Sequence, residues 1–424
     1  MAPFDKGTDA RRDAGPERER ERPGLGTTPV SVRAGMSSPP PGRSFRLVLL
    51  TTFATFSALY VPQPLLPLLG ERFDATPARV ALLMTVVFVP LAVAPLAYGA
   101  ILRRFSAQRL LVGATALLGA LQIAGAAAPS LSWLLVIRAL GGFLFPAILT
   151  AAVTYCSGAG DAAAVSRRVA TYVATTIVGG LAGRLIGGFS GDALGWRTTF
   201  VLVGLLLLAC SALLSLAARD APLASSRGNL AASLEILSTR RFAAGFALIF
   251  LAFFAFSGCL NALPFRLVEL EPGLSARRIS LVYLGYLVGV AIALNAERLA
   301  RLVGGPVRVM GAALATFALG LALMWQANAT ALIATGFLIS GGLFAVHATL
   351  SGHLNGLRPD EASLVNGLYI AIYYAAGAAG SVLPLALYQA YGWTVFLGTM
   401  LLIVLMAGVP LVVLARHSAA EQTS

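Results

Sequence analysis

Apolar runs about twenty residues long recur from residue 45 to residue 414, separated by short breaks rich in arginine, glycine or proline. Wound as an α-helix, one such run spans a hydrocarbon core of about 30 Å. Inside lipid, only segments that satisfy every backbone N–H and C=O internally can cross. The chain is 58% hydrophobic and only 12% charged, whereas a soluble domain carries roughly 25% charge. The sequence therefore predicts an all-α membrane protein. The breaks delimit twelve transmembrane helices near 45–69, 78–101, 109–128, 131–156, 165–190, 197–217, 242–266, 279–298, 306–326, 329–354, 363–389 and 393–414. Its 44 glycines fit that environment, because membrane helices use small residues to approach one another closely.

The formal net charge of +13 would suggest nucleic acid for a soluble protein. Here the bases sit in the tail and the loops, so they set topology; the expected partner is the lipid bilayer, and no nucleic acid. Arg103, Arg104, Arg109, Arg167, Arg168, Arg240, Arg241, Arg298 and Arg301 crowd one set of loops, while Arg72, Arg79, Arg197, Arg266, Arg277 and Arg278 mark the other. The richer side is cytoplasmic by the positive-inside rule, which places both termini in the cytoplasm. Residues 1–44 read as a disordered cytoplasmic tail without a signal peptide, 218–241 as a cytoplasmic linker and 417–424 as a second tail. Within the linker, Leu230, Leu234 and Leu237 recur at helical spacing, as in a short amphipathic helix lying on the inner membrane surface.

The segments 45–217 and 242–416 echo one another. GFLFPA at Gly142 answers GGLFAV at Gly341, GWRTTF at Gly195 answers GWTVFL at Gly392, and Gly180 and Gly183 answer Gly377 and Gly380. The match implies two six-helix pseudo-symmetric bundles related by an axis along the membrane normal. Parallel repeats of this kind, with a site at their interface, characterise many secondary transporters.

With these features the sequence resembles the major facilitator superfamily across all twelve spans, and within it the bacterial arabinose-efflux and acriflavine-sensitivity (YnfM-like) permeases. YVPQPLLPLL from Tyr60 resembles the first helix of that branch, GGLAGRLIGG followed by GWR the fifth, and FAVHATLSG from Phe344 and GLYIAIYYAAGAAGS through Ser381 the tenth and eleventh. The resemblance implies the major facilitator fold, residence in the bacterial inner membrane and export of a small molecule by alternating access, coupled to protons. It also implies a gate loop after the second span, here GAILRRFSAQR, with Gly99, Arg103, Arg104 and Arg109. Arg103 stands where that loop motif has an acid, and Arg184 stands where the fifth-helix motif has proline.

Helical rise places Arg138 about 11 Å and Arg184 about 12 Å below the same membrane surface. Gln63, Asn261 and Tyr286 fall at a similar level, which suggests a polar layer. Gly180, Arg184, Gly187, Gly188 and Gly191 share one face. Glycines there admit a neighbouring helix, and the arginine stem reaches past it. An arginine facing lipid costs roughly 3 kcal/mol or considerably more, so both arginines are expected to face inward. Two roles are open to each: a positive field for substrate or protons, or the capping of carbonyls opened by Pro62 and Pro64.

No embedded acid is visible in mid-membrane; Glu297 lies near an inner helix end, beside Arg298 and Arg301. His347 is the titratable candidate for proton coupling, with Arg138 as a second; the alternative for His347 is a neutral histidine bonded inside the bundle. Tyr60, Tyr283, Tyr286, Tyr369 and Tyr373 supply aromatic walls with polar tips, suited to small amphipathic molecules or simply to packing. Basic and neutral groups without an acid favour a neutral or anionic substrate. Cys156, Cys210 and Cys259 lack ligand spacing, so no metal and no cofactor is expected, and a monomer is expected. An uptake or facilitated-diffusion carrier is the alternative, and a membrane-embedded transferase the reading from another class. The latter lacks a nucleophile–base–orienter set, so the chain is not expected to be an enzyme.

Overall fold

The computed structural model describes residues 42–101, 106–156, 162–217, 230–326 and 328–423, and these are helical almost throughout. Of the tail expected over 1–44, residues 1–41 lie outside the described residues, as do Arg103 and Arg104 of the gate loop, and residues 42–44 instead begin the first helix. The first span is α1 (Gly42–Tyr60), a 3-10 turn at Gln63–Leu65 and α2 (Leu66–Arg72). It breaks because Pro62 has no N–H to donate to the carbonyl four residues back. There follow α3 (Pro77–Ile101), α4 (Ala107–Ala126), α5 (Leu131–Gly142), α6 (Leu144–Cys156) and α7 (Ala162–Ala217). Two helix starts are capped from the side chain before them: Ser106 Oγ accepts from Arg109 N at 3.4 Å and Ser130 Oγ from Trp133 N at 3.3 Å.

The later chain contains α8 (Leu230–Ser238), α9 (Arg240–Leu270), α10 (Ala276–Ser280), a 3-10 turn at Leu281–Leu284, α11 (Gly285–Leu294), α12 (Ala296–Val303), α13 (Pro306–Leu323), α14 (Ala329–Leu357), α15 (Ala362–Met406) and α16 (Gly408–Thr423). Nine helical segments among the described residues are long and apolar enough to cross a membrane. Two of them, Arg167–Leu216 and Pro359–His417, run to 50 and 59 residues, far beyond the roughly 20 that one passage needs. Each contains a reversal on a single glycine, Gly195 (φ 82, ψ 156) and Gly392 (φ 79, ψ 178). Only glycine adopts that conformation cheaply, so these connections need no loop. The continuous helix expected over 279–298 instead crosses four short pieces, the end of α10, the 3-10 turn, α11 and the start of α12, where Glu297 lies. Among the described residues Glu297 forms no ion pair with either neighbouring arginine; on an exposed helix such pairs are worth little.

Two hydrophobic cores account for the packing, one running from Val48 to Leu214 and the other from Ile236 to Leu414. Only a few buried residues cross over, Ala81 and Leu181 into the second and Tyr374 and Ala378 into the first. The internal repeat recurs as geometry. Ser57 Oγ donates to the Gly179 carbonyl at 3.0 Å, and Ser257 Oγ to the Gly377 carbonyl at 3.1 Å. In the first core α7 lies against α1 through a glycine ladder: a methyl group on Gly179, Gly183 or Gly187 would strike Phe53, Ser57 or Val61 in turn. Both series step by four residues, so the ridge of one helix sits in the groove of the other.

The predicted linker helix is α8. It buries Ser233 and Ile236 and turns Leu234 and Leu237 outward. Glu235 pairs with Arg358 at 2.7 Å, and Arg358 with Glu361 at 3.0 Å. These bonds, first the one to Glu235, hold the Arg358 pKa above its ordinary value.

Candidate functional site: a charged seam between two halves

Arg138 and Arg184 share a depth, yet their surroundings differ. The Ala58 carbonyl has lost its helical donor to Pro62, and the Leu59 carbonyl faces the start of the 3-10 turn. Arg138, on α5 and 3% exposed, donates to both at 2.9 Å, with longer bonds to the Leu83 carbonyl on α3 at 3.4 Å. It fastens the broken end of the first span to its neighbours, which is the capping role, and it does not reach the seam. Replacing it with methionine would strip the Leu59 carbonyl of this donor and leave the Ala58 carbonyl only the long bond from Gln122 Nε2 at 3.5 Å, and a buried unsatisfied carbonyl costs about 1–3 kcal/mol. Arg138→Met is expected to cost about 2–5 kcal/mol of stability, read as a lower melting temperature in detergent, with Arg138→Lys intermediate. Unaltered melting would exclude the capping role.

Arg184, 1% exposed, is different. It leaves the glycine face of α7 where the first half meets the second. Its Nε donates to Gln63 Oε1 at 2.6 Å, one terminal nitrogen to the Gly180 carbonyl at 2.9 Å, and the other to the Tyr286 hydroxyl of α11 at 2.9 Å. Its guanidinium carbon lies 3.8 Å from the Tyr60 ring centre, 4.3 Å from Tyr286 and 5.2 Å from Tyr283, within cation–π range of all three. The bonds continue across the seam. Because the arginine only donates, Gln63 must accept with its oxygen and donate with its nitrogen, which reaches Asn261 Oδ1 of α9 at 2.7 Å. Asn261 Nδ2 is left buried with no partner.

A cavity of about 10 Å³, room for about one water, opens beside Arg184. Tyr60, Gln63, Phe88 and Arg184 line it from the first half, and Phe253, Phe256, Ser257, Leu260 and Tyr286 from the second. No acid lines it. Of the residues singled out in the sequence, Tyr60, Gln63, Arg184 and Tyr286 meet on this cavity, while Asn261 and Tyr283 stand immediately behind it. His347, Tyr369 and Tyr373 form an adjoining group. The Tyr369 hydroxyl is 2.9 Å from His347 Nδ1, and the Tyr373 ring stacks on Phe253 at 3.6 Å. Of the gate-loop residues, Gly99 lies near the end of α3 and Arg109 in the first turn of α4.

Sequence reasoning missed Phe88 and the α9 face. Phe253, Phe256, Ser257 and Leu260 fall at i, i+3, i+4 and i+7, in line with Asn261, and that spacing was the available signal.

The seam is closed toward the face that carries the 73–76 turn, opposite the described ends of the chain. Gly188 of α7 abuts Ala276 and Ser280 of α10, the Ala78 amide donates to Gln389 Oε1 at 3.1 Å, and Thr85 Oγ1 donates to the Ala378 carbonyl at 2.9 Å.

Residues 48–304 match the Major Facilitator Superfamily model, and the chain belongs to that superfamily. It is a multi-pass membrane protein and a secondary transporter of small molecules, not an enzyme. The inner membrane transport protein YnfM of Escherichia coli is 25% identical over 84% of this chain and 87% of its own length. The multidrug efflux protein YfmO of Bacillus subtilis is 26% identical over 83% of this chain and 87% of its own. Among solved structures, a bacterial homologue of the human lysosomal transporter Spinster, in an inward-facing and occupied conformation, superposes with a TM-score of 0.71 at 13% identity, over 90% of this chain and 98% of its own. That likeness concerns the fold.

Proposed function

We propose that the chain is a proton-coupled exporter of a small anionic molecule, built from twelve spans in two six-helix bundles, with both termini in the cytoplasm of a bacterium. Gly195 and Gly392 divide the two longest segments into two passages each, and α3 supplies a further passage through its apolar stretch Pro77–Val93. With the termini cytoplasmic, the closed face of the seam is the outer one, and the conformation is inward-facing. Alternating access then consists of breaking the seam at Gly188, Ala78 and Arg184 while the cytoplasmic ends come together.

One observation carries the substrate reading: Arg184 is buried between the halves among tyrosine rings and amides, with no carboxylate beside it. A buried charge without a counter-ion is costly, and an anionic substrate supplies that counter-ion in each cycle. His347, hydrogen-bonded to Tyr369 and separated from the cavity by the Tyr373 and Phe253 rings, is the group proposed to exchange the proton. The test is flux in proteoliposomes with a panel of organic anions, cations and neutral molecules, with and without an imposed pH gradient. Anion exchange driven by the gradient is expected. His347→Gln should retain anion exchange at equal protein level but lose its response to the gradient; transport blind to the gradient in the unmodified protein would remove the proton reading.

A further inference from the structure

The faces of the Arg184 guanidinium are taken. Tyr60 and Tyr286 stand over it at 3.8 and 4.3 Å, so a ligand acceptor must approach in the guanidinium plane. That plane holds five N–H donors. The bonds to Gln63, Gly180 and Tyr286 use one on each nitrogen, which leaves one N–H on each terminal nitrogen outside these bonds. A carboxylate, with two oxygens that only accept, can take up these remaining donors.

The rest of the lining is mainly rings. Phe88 lies 6.1 Å from Tyr60, and Phe256 lies 6.0 Å from Tyr286, in edge or tilted geometry. Such rings favour another aromatic ring over an aliphatic group of equal size. Asn261 supplies an independent sign of a missing partner. It is fully buried, its oxygen is committed to Gln63 by the polarity that Arg184 imposes, and its Nδ2 has no acceptor. An acceptor brought to Nδ2 as the seam parts would satisfy it.

We infer that the seam, as it parts and widens the water-sized cavity beside Arg184, takes a single-ring aromatic carboxylate, with its acid group on the remaining Arg184 donors and its ring among Tyr60, Phe88, Phe256 and Tyr286. The inference rests on the anion reading above and narrows it. A lone acid would leave the rings unused. A neutral arene would leave the arginine uncompensated, and an aromatic cation would meet an unopposed positive charge.

The test is titration calorimetry on the full chain in lipid nanodiscs with four probes: benzoate, cyclohexanecarboxylate, benzamide and benzyltrimethylammonium. Benzoate is expected to bind at least about tenfold more tightly than each of the others, a ratio worth about 1.4 kcal/mol. Tyr60→Leu should shrink the preference for benzoate over cyclohexanecarboxylate. Arg184→Lys, which keeps the charge and loses the fork, should weaken benzoate with melting unchanged. Equal binding of benzoate and cyclohexanecarboxylate would overturn the aromatic inference and leave the anion reading standing. Equal or tighter binding of benzamide or of the cation would overturn both. Failure of benzoate to bind would overturn the aromatic inference, and the anion reading would then be decided by the flux panel.

Discussion

Arg184→Gln is expected to abolish transport of the anionic substrate, lowering initial rates at least about a hundredfold, while the protein still folds. A hundredfold loss corresponds to about 2.7 kcal/mol, in keeping with losing a charge-assisted pair in a site shielded from water. Glutamine keeps a donor for Gln63, so the bond network across the seam is thinned rather than emptied. It also removes a buried cation that has no carboxylate beside it, which takes away a desolvation cost. Tyr60 still packs on Phe88, and Tyr286 on Phe256 and Phe344. Melting temperature should therefore change little, in contrast to Arg138→Met. Arg184→Lys should fall between, because an ammonium keeps the charge but not the planar fork. The measurement is counterflow in proteoliposomes at matched protein content, beside thermal melting of the same preparations. Wild-type rates for anions in Arg184→Gln would place the substrate elsewhere.

The contrast between the two arginines shows what one sequence could convey. Counting residues at the helical rise put Gln63, Arg138, Arg184, Asn261 and Tyr286 at one depth, and four of those five are joined by hydrogen bonds in the structure. Depth along a helix says nothing about azimuth, however, and Arg138 points at the end of α1 instead of the seam. The clue to its partners was Pro62, four residues after Ala58: a proline inside an apolar helix frees a carbonyl, and a buried donor must come from somewhere. The apolar runs and the paired glycines Gly195 and Gly392 were legible because lipid imposes length and a reversal imposes glycine. The aromatic face of α9 was harder to read. In a helix that is apolar all round, hydrophobic residues lining a cavity cannot be told by composition from those facing lipid or core. Asn261 marks the face, and Phe253, Phe256, Ser257 and Leu260 follow from it only once its partner is known. The stretch 279–298 reads as one helix because nothing in its hydropathy announces the 3-10 turn at Leu281–Leu284.

Gly188→Leu is expected to stop transport by a different route, by preventing the outer seam from closing. A Cβ on Gly188 would overlap the Ser280 side chain and come within 2.7 Å of the Ala276 carbonyl. Both belong to α10, in the other half of the molecule. The collision is therefore between halves, and each core can still form. Gly183 makes the opposite comparison: its Cβ would run into the backbone of Ser57, inside the first core, so Gly183→Leu should fail to fold. Overpacking a tight contact costs typically about 1–3 kcal/mol. A two-state equilibrium within that range moves from mostly closed to mostly open. Closure can be followed with Ala78→Cys and Gln389→Cys, since the Ala78 amide and the Gln389 side chain are 3.1 Å apart across the closed seam. The pair should cross-link readily in the otherwise unmodified protein and slowly once Gly188→Leu is added. Cross-linking should itself halt transport, and reduction should restore it. Unimpaired transport together with undiminished cross-linking in the Gly188→Leu background would show that the halves do not part at this seam, and alternating access through it would have to be abandoned.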